Sequence, residues 1–203
     1  MKIICIGQNY LKHIEELNSS RSKTPVIFLK PDSSIIQKNQ PFFIPEFSKE
    51  IHYEVEIILK FSKLGKHIDP KFSNKYYNQI SLGIDFTARD LQKKLKQSGQ
   101  PWEKAKAFDN SAVIGDWIDI SDFHDINNIN FCLKVNNEIV QTSNSSNMIW
   151  KVDELISEVS NYFTLKIGDI LFTGTPEGVG KVNIGDVLDG FLEEKKVFSI
   201  KIK

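Results

Sequence analysis

The chain is poor in sulfur and has no surplus of either charge. Two cysteines cannot build a disulfide framework, and both Cys5 and Cys132 sit in apolar, strand-like stretches. The expectation is reduced thiols in a cytoplasmic setting. Lys and Arg total 26 and so do Asp and Glu, which leaves a formal net charge of zero. Nucleic acid or an anionic membrane demands concentrated positive charge, so neither is expected as a partner. No apolar run approaches the roughly 20 residues of a membrane span. The opening MKIICIGQNY has one Lys and a short apolar run, not a full secretory signal, and reads as a first strand. No low-complexity linker divides the chain. With 40% hydrophobic residues over 203 positions, one domain spanning 1–203 can bury a proper core.

What is present is mostly short strand patterns. KIICIG, PVIFLKP, FFIP, YEVEIIL, QISLGIDF, INFCLKVNNEIV, DILFTGT and VFSIKIK each have strand character. Asn136-Asn137 suits a tight hairpin turn, since Asn tolerates positive φ. The echo of LKIGDIL at 165–171 in VNIGDVL at 182–188 is explained by two Gly-Asp turns before strands. Three helices are expected. The first covers roughly Tyr10 to Asn18. The second is TARDLQKKLKQSG, with Thr87 and Asp90 at capping-box spacing, Gly99 to close it and Pro101 to stop it. The third is KVDELISEVSNYF, with Val152, Leu155, Ile156, Val159 and Phe163 on one stripe. QTSNSSN at 141–147 reads as a polar loop. The fold class is α+β, dominated by strands.

IHYEVEIILK at 51–60 poses the chemical question. Its alternation puts Ile51, Tyr53, Val55, Ile57 and Leu59 on one face, and His52, Glu54 and Glu56 on the other. Two carboxylates about 7 Å apart on one strand face can converge on a hard divalent ion, although exposed glutamates are common. Asp85 ends the apolar run QISLGIDF, where an isolated Asp is costly to bury. With Glu54 and Glu56 it makes a three-carboxylate set suited to an octahedral ion with open positions. His52 reads as a neighbour that packs or hydrogen-bonds. His13 and Glu16 are three apart on the first helix, the spacing at which a carboxylate orients an imidazole as a general base. Such pairs also occur as idle surface ion pairs. TGTPEGVG at 173–180 can offer backbone N–H groups and the Thr175 hydroxyl to an anion, but lacks the ending of a phosphate loop. Arg89 or Gln92 can hold a substrate carboxylate, and Lys106 can stabilise an enolate.

In this order GQNYLKHIEEL, PVIFLKP, IHYEVEI, GIDFTARDLQ, GQPWEKAKAFD and ILFTGTPEGVG resemble the fumarylacetoacetate hydrolase family, and most closely its short, single-domain branch of acylpyruvate hydrolases and oxaloacetate decarboxylases. The matching segments span nearly the whole chain. The resemblance implies a mixed, rolled β-sheet core with short flanking helices, usually in a homodimer. It implies Mg²⁺ or Mn²⁺ on Glu54, Glu56 and Asp85, and a water-activating dyad of His13 and Glu16. It also implies Lys106 as the enolate-stabilising cation, with Arg89, Gln92 and Thr175 binding substrate. The implied substrate is a small 2-oxo acid. The implied reactions are acylpyruvate C–C hydrolysis and oxaloacetate decarboxylation or tautomerisation. An isomerase or hydratase of dicarboxylates from aromatic breakdown is an alternative within the superfamily. A non-catalytic protein that binds 2-oxo acids through the same metal site is an alternative of a different class. The early motif departs from the usual G-R-N-Y, with Gln8 in place of the Arg.

Overall fold

The computed structural model describes residues Met1–Lys203. Its largest sheet runs in the order β2 (Val26–Pro31), β1 (Lys2–Gly7), β11 (Ile170–Phe172), β4 (Val55–Phe61), β5 (Tyr77–Asp85), β7 (Ala112–Ile114). The short β8 (Ile118–Asp119) also pairs with β5. β1 and β11 are parallel and the other pairs antiparallel, so the sheet is mixed. A second sheet joins β10 (Glu138–Asn144), β9 (Asn130–Val135), β13 (Val187–Leu192) and β14 (Lys195–Lys201). A third, very small one is β12 (Gly180–Lys181), β3 (Ile51–Tyr53) and β6 (Thr87–Ala88). Four helices flank them: α1 (Leu11–Glu16), α2 (Arg89–Gln97), α3 (Glu103–Lys106) and α4 (Val152–Tyr162). The architecture is the expected α+β one, mostly strands in a curled sheet.

The large sheet is buried on both faces. Ile4, Ile6, Ile57, Leu59, Leu82 and Ile84 belong to the main core of 39 residues. Ile3, Cys5, Ile58, Ala112, Ile170 and Phe172 form a separate six-residue cluster on the other face. The alternation of β4 is therefore not an inside–outside alternation. Its second face carries Glu56 beside Ile58, both sealed from solvent.

Several local expectations change. FFIP is not a regular strand: Phe42 makes one isolated bridge to Ile202, and the Ile44 N–H donates to the Lys203 carbonyl at 2.9 Å. Thr87 does not cap α2. It belongs to β6, and the helix starts at Arg89 with Ala88 as its uncapped boundary. The side chain of Asp90 instead accepts from Ser48 Oγ at 2.6 Å and from the Lys49 N–H at 3.1 Å. The 141–147 stretch is not a loop through its length, since β10 extends to Asn144. The Asn136-Asn137 turn has φ of 52° and 72°, the doubly positive φ of a type I′ hairpin.

Candidate active site

The strand IHYEVEIILK splits at Glu54. Residues 51–53 join the small sheet and 55–61 the large one. Its neighbour splits in the same place, with β5 ending at Asp85 and β6 beginning at Thr87. Two hydrogen-bonded chains thus leave one sheet for another together, and the carboxylates sit at that corner. Val55 pairs with Ile84 and Glu56 with Gly83, and the Asp85 N–H donates to the Glu54 carbonyl at 2.9 Å. Cross-strand partners face the same way. Glu54, Glu56 and Asp85 consequently converge, each offering one oxygen within 4.8 Å of the others. A side chain at Gly83 would collide with the Val113 carbonyl and the Phe172 ring.

Three cations from three elements enter this corner. Lys106 Nζ, at the end of α3, donates to Glu54 Oε2 at 2.7 Å, Asp85 Oδ2 at 2.6 Å and Thr87 Oγ1 at 2.6 Å. Arg89, opening α2, donates through Nη2 to Glu54 Oε1 and through Nη1 to Gln92 Oε1 at 2.6 Å. Lys30 on β2 lies 2.8 Å from Asp85 Oδ1 and donates to Ser111 Oγ at 2.8 Å. All three are buried.

The carboxylates are not equally served. Burial pushes the Glu54 carboxyl up, but Lys106 and Arg89 outweigh it and hold it far below the usual range. Glu56 has no cation in contact and accepts only the Gly174 N–H, at 2.7 Å. Burial, then Asp85 and Glu54, push its carboxyl well above the usual range. For Lys106, burial lowers the amine, but Asp85 and Glu54 raise it above the ordinary lysine value. Asp85 Oδ1 is fully buried and makes no hydrogen bond, although the Lys30 ammonium is close. Hard oxygen donors, one of them a Glu56 carboxyl with no cation in contact, fit a divalent cation such as Mg²⁺ or Mn²⁺.

Opposite this corner lies α1. His13 is buried, and its Nδ1 is 3.1 Å from Glu16 Oε2. Glu16 Oε1 in turn accepts the Gly178 N–H at 3.0 Å, which ties the pair to the TGTPEGVG segment. The turn before α1 is held rather than loose. Buried Asn9 donates to the Thr173 carbonyl at 2.8 Å and the Trp150 carbonyl at 3.1 Å, and accepts from the Trp150 N–H at 2.8 Å. Gln8 just before it has φ of 60°.

His13, Glu54, Glu56, Asp85, Arg89, Gln92, Lys106 and Thr175 all line one small cavity, partly open to solvent. Glu16 stands behind His13. The Thr175 hydroxyl donates to the Val55 carbonyl at 2.9 Å, so its proton is not available to an anion. Arg89 is engaged with Glu54 and Gln92, which makes it first an anchor for the corner.

Two contributors were not singled out from sequence. Lys30 lies within the apolar VIFLKP, and a lysine enclosed by such a run was the available signal. Gln141 sits in the stretch read as a loop, yet it is buried. Its Oε1 accepts the Val55 N–H at 2.9 Å, and its Nε2 donates to Thr175 Oγ1 and the Pro176 carbonyl, each at 3.0 Å. It thereby ties β10 to the strand break beside Glu54. His52, as expected, is a neighbour, with Nε2 3.1 Å from Glu50.

Comparison with known proteins agrees with this geometry. Residues 2–202 match the family model for the C-terminal domain of fumarylacetoacetate (FAA) hydrolase. The chain is 40% identical over 188 residues to oxaloacetate tautomerase YcgM of Escherichia coli K12, covering 92% of this chain and 86% of that one. Its structure is similar to that of a fumarylacetoacetate hydrolase family protein from Yersinia pestis CO92. There the TM-score is 0.96 at 38% identity, over 100% of this chain and 93% of that one. It is also similar to fumarylpyruvate hydrolase from Pseudomonas aeruginosa, solved with Mn²⁺ and pyruvate. That match has a TM-score of 0.93 at 32% identity, over 100% and 89% of the two chains.

Proposed function

The chain belongs to the fumarylacetoacetate hydrolase family, and from that premise we propose that it is a divalent-metal-dependent enzyme acting on small 2-oxo acids. Its first reaction is keto–enol tautomerisation of oxaloacetate. The observation that carries this reading is the carboxylate corner facing the Lys106 ammonium inside one cavity. The name of the Escherichia coli relative supports the substrate, and the Mn²⁺ and pyruvate in the Pseudomonas aeruginosa neighbour support the ligand class.

Glu54, Glu56 and Asp85 are the residues to hold the ion. When bound, Mg²⁺ or Mn²⁺ supplies Lewis-acid polarisation and a template for the adjacent carboxylate and carbonyl oxygens of a 2-oxo acid. The chain's own groups do the rest. Lys106 Nζ, held cationic by Glu54 and Asp85, stabilises negative charge gathering on the substrate oxygen as C3 loses its proton. His13, its Nδ1 fixed by Glu16, presents Nε2 as the base that takes that proton and returns it to the oxygen. Charge balance favours an anionic substrate. The three buried carboxylates match the three buried cations, so a divalent ion leaves a surplus that a doubly charged acid neutralises.

Acylpyruvate hydrolysis is the second reading, and the His13–Glu16 pair favours it. Deprotonating a water requires an oriented imidazole, and Gly178 N–H fixes Glu16 behind it. His13 Nε2 takes a proton from the water, whose oxygen adds to the distal carbonyl carbon. The C–C bond breaks, releasing a carboxylic acid and the enolate of pyruvate, which regains a proton from the imidazolium. A homodimer and a cytoplasmic setting are expected for this enzyme. No helix is long and apolar enough to cross a membrane.

The test is a panel of oxaloacetate, acylpyruvates and simple 2-oxo acids, assayed with Mg²⁺ or Mn²⁺ and again with chelator. Metal-dependent loss of enol-oxaloacetate absorbance is expected. Turnover indifferent to complete metal removal, or none with any 2-oxo acid, overturns the reading.

A further inference from the structure

The cavity has a second end. Arg89, Gln92 and Lys96 lie at i, i+3 and i+7 of α2 and all line it. At 1.5 Å per residue, about 10 Å of helix separates the first from the last, so the row runs from the carboxylate corner to the mouth. Long side chains on a helix lean toward its N-terminus, which aims the Lys96 stem back down the cavity.

Lys96 differs from the other lining cations. Arg89 and Lys106 are bound to buried carboxylates. Lys96 has no carboxylate within ion-pair distance. Its Nζ lies over the Trp102 ring at 5.8 Å from the centroid and reaches only Ser19 Oγ, at 3.4 Å. Partial burial, then the positive charge of Arg89, hold its amine below the usual lysine value. The groups that share the mouth with it, Gln8, Leu17, Ser19 and Trp102, are neutral. All the acids lining the cavity, Glu54, Glu56 and Asp85, are at the inner end. An ammonium with hydrophobic and aromatic neighbours, an ammonium-repelling guanidinium below it and no counter-ion is a receptor for an anion.

We propose that Lys96 is a specificity-determining residue: it receives the far carboxylate of a dicarboxylic 2-oxo acid whose 2-oxo end lies at the Glu54–Glu56–Asp85 corner. This rests on the 2-oxo acid reading above and names the side chain that makes the site prefer a diacid such as oxaloacetate over a monoacid. Lys96 is exposed at the mouth, and the Trp102 ring flanks its ammonium. Substrates whose far end is a methyl group leave Lys96 without its counter-ion.

The test is calorimetry on the Mn²⁺-loaded protein with two stable five-carbon probes. One is 2-oxoglutarate and the other is 2-oxopentanoate, which ends in a methyl group. The wild type is expected to prefer the diacid by about fivefold, the scale of an ion pair at a solvent-exposed site. K96Q erases that preference, K96E reverses it, and K96R restores most of it. A preference that survives in K96Q overturns the proposal, as does a wild type that binds both probes equally while turning over oxaloacetate. A wild type that binds neither probe and turns over no 2-oxo acid sinks the underlying reading, and this proposal with it.

Discussion

Glu54 and Glu56 stand two residues apart on one strand face, both buried, yet they live in opposite electrostatic worlds. Glu54 is clasped by Lys106 and Arg89, and its carboxyl is held far below the usual range despite burial. Glu56 has one backbone N–H, and burial with the neighbouring Asp85 and Glu54 drives its carboxyl up. The difference shows how one cluster does two jobs. The Glu54 side is a finished ion-pair network that holds α2, α3 and the strand break together. The Glu56 side has no cation in contact, and on the proposed reading it is where a divalent ion would be held.

Substitutions should pull the two sides apart. Glu56→Gln is expected to cut turnover about a thousandfold or more, the scale of losing several kcal/mol of metal-ion stabilisation. The metal-free fold keeps or gains stability, because a like charge is gone. Glu54→Gln should destabilise the metal-free fold by about 3–5 kcal/mol, since it strands the buried Arg89 and takes one of the two carboxylates from Lys106. Denaturant melts of chelator-treated proteins read this contrast, and equal stability losses would erase the distinction.

The next effect belongs to α1. His13→Gln should lower acylpyruvate hydrolysis by about 10²–10⁴-fold, the usual worth of a positioned general base. Oxaloacetate tautomerisation should suffer less, since its C3 protons lie between two carbonyl groups and are acidic already. Parallel assays on the two substrates decide it, and equal losses would argue against a water-activating role.

A smaller effect is expected at Gln141, the brace behind the break. Gln141→Ala leaves the buried Val55 N–H without its acceptor, which costs about 1–3 kcal/mol. A fall in Tm with KM shifted more than kcat is the expected signature of a loosened corner. An unchanged Tm removes the brace.

The pH dependence of the metal-free protein comes last in size. Glu56 binds its proton more tightly folded than unfolded. Its contribution to stability is full below the unfolded carboxyl value, about 4.3, and is lost as pH rises through the raised folded value. Glu54 has the opposite sign: its contribution is present above the unfolded value and is lost as pH falls toward the lowered folded one. Chelator-treated protein should therefore lose stability from mildly acidic to neutral pH, by at most about 1.4 kcal/mol per pH unit for one proton. Mn²⁺ should flatten that decline, because it takes the place of the proton on Glu56. Melting curves with and without Mn²⁺ measure both slopes, and a flat metal-free profile contradicts the raised value.

Much of this was legible before the structure. The strands β1, β2, β5 and β14, the core stripe of α4 and the Asn136-Asn137 turn follow from alternation, helical period and the tolerance of Asn for positive φ. The three carboxylates and the His13–Glu16 pair were legible as residues, and their roles came from resemblance to a family. What was hidden is tertiary. Nothing local marks Glu54 as the point where a strand changes sheets, and His52, Glu54 and Glu56 look like a wet face unless a second cluster is known to cover it. Thr87 has the spacing of a cap, but pairing in β6 and the Lys106 ammonium claim it instead. Lys30 and Gln141 are polar residues whose partners lie 55 and 86 positions away in the chain, at Asp85 and Val55. No periodicity reports a partner that distant.

The central claim is that the Glu56 side of the corner is a cation site. Its most direct measurement is calorimetric titration of chelator-stripped protein with Mn²⁺, in the wild type, in Glu56→Gln and in His13→Gln. The account predicts one ion per chain in the wild type, affinity at least a hundredfold weaker in Glu56→Gln, and little change in His13→Gln. Absence of binding in the wild type, or equal binding by Glu56→Gln, would contradict it.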